Sequence, residues 1–439
     1  MIMEDIKILI IYTAAYILSF ITGRAGLSAL SAACLIGIAV FIYLKEKLIS
    51  KELLNLRGLM ALGLLGGEGI ARLQLSNLST DWTLSTWGSF YIFYLIFYFT
   101  SKYAEQLLNQ KHFIKISSLT DSKESKLFIF KVVILSVTFL SWVCFFFEAW
   151  KLQFIPLFTV DTPHAYSYFH LKGIHYFTTL AILIPGVTML YIDQRHKLSL
   201  LPDIISGIGL FAPLILCVLL VSRFQFMFAA ILAIFVTTVS GKKYKLWQIL
   251  ILGILLILVY VIITIERAHS VEYLNGIFEM KDPQTPIFIT QPYMYIANNY
   301  DNFNVMTQEL SLHSCGLKML YPVITLTGLK FLFPSLGMAF PLFTNKEELT
   351  TVTLLYDAWY DFGIAGVIIF AIILGLVTGI ILYVHNKDVN PFSRLIYAEL
   401  AFYFSFSFFT TWFSNPATWF YLGFSVLFYM AYHISDRFY

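Results

Sequence analysis

The sequence predicts an all-α polytopic integral membrane protein with about twelve transmembrane helices, and three observations carry that prediction. Of the 439 residues, 59% are hydrophobic and only 13% charged, against about 25% charged in ordinary soluble domains. Apolar runs of spanning length recur along the whole chain. Lysine and arginine gather in alternate connections. The chain reads as a single membrane domain, 1–439, with one long exterior loop, 266–350, inside it.

The first run, 6–22, follows acidic residues and precedes no small-residue cleavage site, so it reads as a retained helix rather than a removed signal peptide. The runs at 27–44, 58–75, 86–101, 127–147, 173–192, 204–221, 224–240, 246–265, 362–384, 395–413 and 416–433 complete the set. Each is near the 17 to 25 residues, roughly, that cross a hydrocarbon core. The abundant Phe (42) and Tyr (27) suit lipid-facing helices with aromatic belts at both interfaces.

Orientation follows from the loops, because cytoplasmic connections hold the Lys and Arg excess. The segments 45–57, 101–126, 193–197, 241–245 and 385–394 are basic, whereas 76–86 and 414–418 carry neither Lys nor Arg. Both termini are therefore expected inside. That leaves 266–350 outside, together with the shorter segment 151–173. A connection this long is usually functional or disordered. The composition of "PIFITQPYMYIANNYDNFNVM" and "LYPVITLTGLKFLFPSLGMAF" argues against disorder and for short helices on or in the outer leaflet. No internal repeat is visible, which counts against transporters built from paired repeats.

A formal net charge of +3 gives no ground for nucleic-acid binding. Of the four cysteines, Cys34, Cys144 and Cys217 fall in apolar runs and Cys315 in a loop, so no disulfide framework is available. The exterior histidines, His164, His170, His269 and His313, lie in no spacing such as H-E-x-x-H, and neither a metal nor another cofactor is expected.

Charge at membrane depth calls for a functional hypothesis. Glu68 and Arg72 lie four apart on one helix face, Glu68 near mid-bilayer. They read either as a mutual ion pair with Arg72 snorkelling outward or as the lining of a hydrated cavity. Arg223 and Arg267 sit at the outer ends of helices, as headgroup contacts or as bidentate partners for a lipid diphosphate. In "YIANNYDNFN", Asn298, Asn299, Asp301, Asn302 and Asn304 suit sugar hydroxyls, or alternatively hold a turn-rich loop by bonding to backbone. In "YDAWYDFG", Asp357 and Asp361 are one helical turn apart. They read as acids favoured at a helix start by the macrodipole or as a pair containing a general base.

At these residues, in "SRFQFMFAAILAIF", "IERAHS", "YIANNYDNFN" and "YDAWYDFGIAG", the chain resembles the Wzy-type oligosaccharide repeat-unit polymerases of O-antigen, capsule and common antigen. The resemblance implies a GT-C-like fold and metal-independent glycosyl transfer on the outer face of the bacterial cytoplasmic membrane. Two undecaprenyl-diphosphate-linked oligosaccharides would be joined, with a flippase and a chain-length regulator of the same pathway as partners. It would place Arg223, Arg267 and Arg72 on the departing diphosphate. Asp361, Asp357 or His313 would take the acceptor's proton, and Asn298, Asn299, Asp301, Asn302 and Tyr356 would line the sugar site. Metal-dependent relatives of that fold carry a D-x-D pair in the first exterior loop, where this chain has "TGRAG" (22–26). The rival expectations are an O-antigen-ligase-type transferase, which an indispensable exterior histidine such as His313 would favour, and a lipid-linked oligosaccharide flippase.

Overall fold

A computed structural model describes residues 2–111, 123–159, 165–195, 204–241, 271–337 and 340–438. The predicted helix 246–265, Arg267, His269 and His164 lie outside the described residues. In chain order the helices are α1 (Ile2–Arg24), α2 (Ser28–Ser50), α3 (Leu56–Met60), α4 (Gly67–Ala71), α5 (Leu84–Lys111), α6 (Lys123–Leu152), α7 (Ala165–Tyr168), α8 (Ile174–Thr179), α9 (Ile184–Gln194), α10 (Ile204–Leu219) and α11 (Arg223–Val239). They continue as α12 (Val271–Phe278), α13 (Ile287–Glu309), α14 (Tyr321–Leu326), α15 (Leu329–Leu332), α16 (Tyr356–Lys387), α17 (Phe392–Ser405) and α18 (Pro416–Phe438). No strand occurs among the described residues.

Five helical stretches are long and apolar enough to cross a membrane: Asp5–Arg24, Ser28–Ser50, Leu127–Leu152, Ile174–Gln194 and Tyr356–Lys387. Their outward faces carry fully apolar side chains such as Ile10, Ile21, Phe139, Phe146 and Ile373, a surface that only a hydrocarbon solvent favours. The protein is thus an all-α membrane protein. The other predicted runs among the described residues fall on shorter or less apolar helices. The run 395–413 ends as an α-helix at Ser405, beyond which turns and a short 3-10 helix, Trp412–Ser414, lead to Pro416.

The chain gathers into two compact units. The first comprises Met1–Phe113, Ser270–Asn386 and Tyr403–Trp419, and the second Ile114–His269, Lys387–Phe402 and Phe420–Tyr439.

In the first unit, α1 and α2 form an antiparallel pair, and the chain then re-enters as α3. Between α3 and α4 the helix widens into a π-helical stretch, Ala61–Gly66. The cause is a side chain acting on the backbone ladder: the Tyr300 hydroxyl on α13 donates to the Leu64 carbonyl at 2.6 Å. Gly67 leaves room for it, since a Cβ there would stand 2.5 Å from the Tyr300 oxygen. On α16, Gly375 and Gly379 bring two backbones together. A Cβ at either would meet α5 at under 3 Å, the close approach that small residues four apart permit between membrane helices.

The loop between α4 and α5 is stitched to the end of α12. Asn77 N bonds Glu279 O at 2.8 Å, Lys281 N bonds Leu75 O at 2.9 Å, and Ser76 Oγ donates to Phe278 O at 2.7 Å. In the second unit, α6, the helix Ile174–Gln194 and α10 pack around Phe145, Phe169, Ala181, Leu216 and Leu220.

Candidate functional site

The aspartate pair opens α16, and the helix breaks directly after it. Phe362 (φ −145°, ψ 20°) and Gly363 (φ 59°, ψ −140°) separate the turn carrying the aspartates from the membrane-crossing part. A positive φ is cheap only for glycine, so "DFG" is where this change of direction fits. Although one turn apart, the two carboxylates have different partners. Asp361 is buried and accepts from Ser314 Oγ, from Lys318 N at 3.1 Å and from Met319 N at 2.8 Å. It organises the loop 314–319. Asp357 meets Lys318 Nζ at 2.8 Å and the Ser414 hydroxyl, and its side chain keeps 13% exposure. The Lys318 ammonium also lies over Tyr360 at 4.4 Å and Tyr356 at 5.4 Å. Like-charge repulsion is thereby removed by one lysine and a ring of donors.

His313 stands beside the break, exposed. Its Nδ1 faces the Tyr360 carbonyl at 3.1 Å. A carbonyl only accepts, so Nδ1 donates, and the neutral ring with that tautomer has its lone pair on Nε2. Tyr356 is buried, and its hydroxyl accepts from Phe343 N at 2.8 Å and donates to Phe343 O at 3.2 Å.

The asparagine-rich stretch is not a turn-rich loop but the middle of the 23-residue helix α13. Asn298, Asn299, Asp301, Asn302 and Asn304 are all buried and bond to distant backbone. Asn302 Nδ2 donates to Leu349 O at 2.8 Å and Thr351 O at 2.9 Å, and its Oδ1 accepts from Asn345 N at 2.9 Å. Asn298 Nδ2 donates to Leu349 O at 3.2 Å, and Asn299 Nδ2 to Phe408 O at 2.7 Å. Asp301 Oδ1 accepts from Thr80 N (3.0 Å), Thr80 Oγ1 (2.8 Å) and Trp82 Nε1 (2.9 Å). Burial pushes the Asp301 carboxyl up to about 6, against the lowering pull of those donors and of Arg72. These side chains fasten the segments around Thr80, Leu349 and Phe408 to α13. The backbone-bonding alternative describes them, carried by a helix.

Arg72, just beyond α4, differs in having unused capacity. It makes no ion pair with Glu68, whose Oε1 accepts from Tyr16 at 2.6 Å. Instead the guanidinium lies over Trp82 at 5.0 Å and Trp87 at 5.4 Å. Among the described residues, neither Arg72 Nε nor Glu68 Oε2 has a hydrogen-bond partner. Arg72 lines a cavity of about 260 Å³ together with Gly23, Arg24, Asp81, Trp82 and Trp87. Gly23 matters because even a bare Cβ there would sit 3.1 Å from the guanidinium. The pocket lies at the end of α1 and the start of α5, and it has two cations to one carboxylate. Arg24 and the two tryptophans went unremarked in the sequence. "TGRAG" and "TDWTLSTW" gave the only hint, as aromatic and basic residues in short connections of like orientation.

Arg223 is the first residue of α11, half-buried, in the second unit. The sequence also missed Glu148, Thr178 and His175 of that unit, where a buried carboxylate meets a hydroxyl and an imidazole. A glutamate inside "CFFFEAW" was the available signal.

No family model, curated protein or solved structure matches the chain. Its chemistry must be argued from these side chains.

Proposed function

We propose that the protein is a membrane glycosyltransferase of the repeat-unit polymerase type, joining undecaprenyl-diphosphate-linked oligosaccharides at the outer face of a bacterial cytoplasmic membrane. The observation that carries the proposal is the Arg72 pocket: a buried guanidinium held against two neighbouring indoles, with donor capacity to spare, opening on a cavity shared with Arg24. Cations fixed in advance are what a departing diphosphate needs when no metal assists, and a guanidinium fork matches its paired oxygens.

In the transfer, the bond from sugar C1 to the diphosphate oxygen breaks with its electron pair leaving on the diphosphate. C1 then bonds to the acceptor hydroxyl oxygen, and that hydroxyl's proton passes to a base. Asp361 is committed to three donors. His313, with a free lone pair on an exposed Nε2, takes the proton, and the Lys318–Asp357 pair steadies the turn beside it. Support for the wider frame comes from the alternating basic loops. About twelve spans, a GT-C-like arrangement, cytoplasmic termini and an exterior 266–350 belong to the same reading. A His313 that proves indispensable would favour the ligase-type alternative, in which the glycan moves to a different acceptor.

The test is extension of a purified lipid-linked unit by Arg72→Ala and Arg72→Lys. Alanine should abolish transfer, and lysine should rescue poorly because an ammonium cannot reproduce the fork. Wild-type product lengths with Arg72→Ala would remove the pocket from the mechanism. A product built on an unrelated acceptor would favour the ligase-type reading.

A further inference from the structure

The break at Phe362 and Gly363 fixes the depth of whatever is attached to it. From Gly363 to Val384, α16 carries no charged residue, and that stretch rises roughly 32 Å, against about 30 Å for a hydrocarbon core. The turn before it, with its two aspartates, therefore stands at one boundary of the hydrocarbon. The chain from 314 to 343 leaves this turn and comes back to it. On the way out, Ser314 N bonds Tyr360 O and Cys315 N bonds Asp361 O, each at 3.2 Å, and Asp361 accepts from Lys318 N and Met319 N. On the return, the Tyr356 hydroxyl bonds Phe343 N and Phe343 O, and the Phe340 ring stands 5.8 Å from that of Tyr360. The excursion between these feet, 320–336, is thus tethered at both ends to the membrane boundary.

Its surface is apolar. Leu320, Tyr321, Val323, Leu326 and Phe333 are exposed, Phe331 and Leu332 by 71% and 72%, and Lys330 is the one charged residue in the stretch. Such a patch marks a contact with something other than water. The backbone suits a dry setting, because its turns satisfy their own polar groups. Ile324 N bonds Leu320 O at 3.1 Å, Thr327 N bonds Val323 O at 3.0 Å, Phe331 N bonds Gly328 O at 2.9 Å and Phe333 N bonds Leu329 O at 2.8 Å. Pro322 and Pro334 have no N–H to satisfy. The patch also joins the lipid-facing side of α16. A Cβ on Gly316 would meet the Phe362 ring at 3.5 Å and Leu320 at 3.8 Å. Phe362 in turn opens the row of exposed apolar side chains that continues through Ile364, Ile369 and Ile373.

We propose that α14, α15 and Phe333 form an in-plane membrane anchor whose ligand is the phospholipid of the leaflet at the Gly363 end of α16. Phe331, Leu332 and Phe333 enter the boundary between headgroups and acyl chains, which surface helices penetrate by roughly 5 to 10 Å. Lys330, whose ammonium lies 5.6 Å from the centre of the Phe331 ring, reaches back to the phosphates. Continuity with α16 selects lipid over a protein partner, because acyl chains that cover Phe362 meet no polar edge at Leu320. The anchor holds the 314–319 loop, and His313 beside it, at a fixed height over the bilayer. The inference stands apart from the glycosyl-transfer reading and from the orientation of the chain, since it uses only the end of one membrane helix.

The experiment uses the full chain, with its four native cysteines replaced by alanine, in vesicles of phosphatidylethanolamine and phosphatidylglycerol. A nitroxide is attached at Phe331→Cys or Leu332→Cys. The exposed Glu347→Cys serves as the water reference and Ile373→Cys as the lipid reference. Paramagnetic resonance compares collisions with oxygen, which concentrates among acyl chains, and with a nickel chelate, which stays in water. At both positions the oxygen-to-nickel ratio should exceed that at Glu347→Cys several-fold and lie nearer to that at Ile373→Cys. A ratio equal to the water reference overturns the proposal. So does a loss of both collision rates with spin–spin broadening, the sign of a second copy on this face. A lipid-like ratio that appears only when undecaprenyl phosphate is added overturns it too, by giving the face to the tail of a substrate.

Discussion

Replacing Asp361 with asparagine tests whether this carboxylate is architecture or chemistry. The carboxylate is buried and receives three donors from the 314–319 loop, two of them backbone N–H groups. Asparagine keeps one acceptor oxygen and turns the other into an NH₂ donor, so one of the loop's donors faces a donor. Hydrogen bonds to a charged group contribute about 1.5 to 3 kcal/mol each, and a buried N–H left without a partner costs about 1 to 3 kcal/mol. Because the two figures overlap for a single lost contact, roughly 2 to 4 kcal/mol of local stability should go. At about 1.4 kcal/mol per tenfold, that raises the open population of the loop by roughly 30- to 700-fold. Hydrogen exchange read by mass spectrometry on purified Asp361→Asn protein should show this at 314–319. The core of α13, held by other contacts, should exchange as before. Unchanged protection of 314–319 would refute the assignment and return Asp361 to the list of catalytic bases.

Two further outcomes are expected. Asp301 has its carboxyl raised to about 6 from an ordinary value near 3.8; the folded state holds the proton more tightly than the unfolded one. Its contribution is therefore fully present below about pH 4 and is lost as pH rises through about 6. Thermal melting between pH 7 and pH 4.5 should show a gain on acidification that Asp301→Asn lacks, and parallel curves for the two proteins would contradict it. Cys315 is an exposed free thiol in the loop that Asp361 organises. A membrane-impermeant maleimide should label it in intact cells, with Cys315→Ser as the blank. Labelling only after permeabilisation would invert the proposed orientation.

Most of the helical pattern was legible, because a hydrocarbon solvent imposes a length and a hydropathy that a single sequence displays. Tyr356–Lys387 and Leu127–Leu152 stand where "GIAGVIIFAIILG" and "FKVVILSVTFLSW" place them. The segment 266–350 was harder to read. Its asparagines are as polar as a sugar-binding face would be. Their partners here, Leu349, Thr351, Thr80 and Phe408, lie up to 224 positions away. Spacing along one helix carries no record of such closures. The expectation that Asp357 and Asp361 would share a face failed to anticipate their divergence for the same reason: Lys318 and the amides beside it arrive from another part of the chain. Arg72 was noticed for its depth, but its setting depended on Trp82 from the next connection and Trp87 in the first turn of α5.

The π-helical turn at Ala61–Gly66 has a consequence for chain length. Such a turn holds one residue more than an α turn, so whatever follows is rotated by about 100° relative to an unbroken helix. Remove a single residue from "ALGLLG" and the segment could relax to a regular ladder with every charge and aromatic side chain still present. Arg72 would then point away from Trp82 and Trp87. The cation's aim is thus encoded by a count rather than by an identity, and a one-residue deletion here would do what no conservative substitution nearby could.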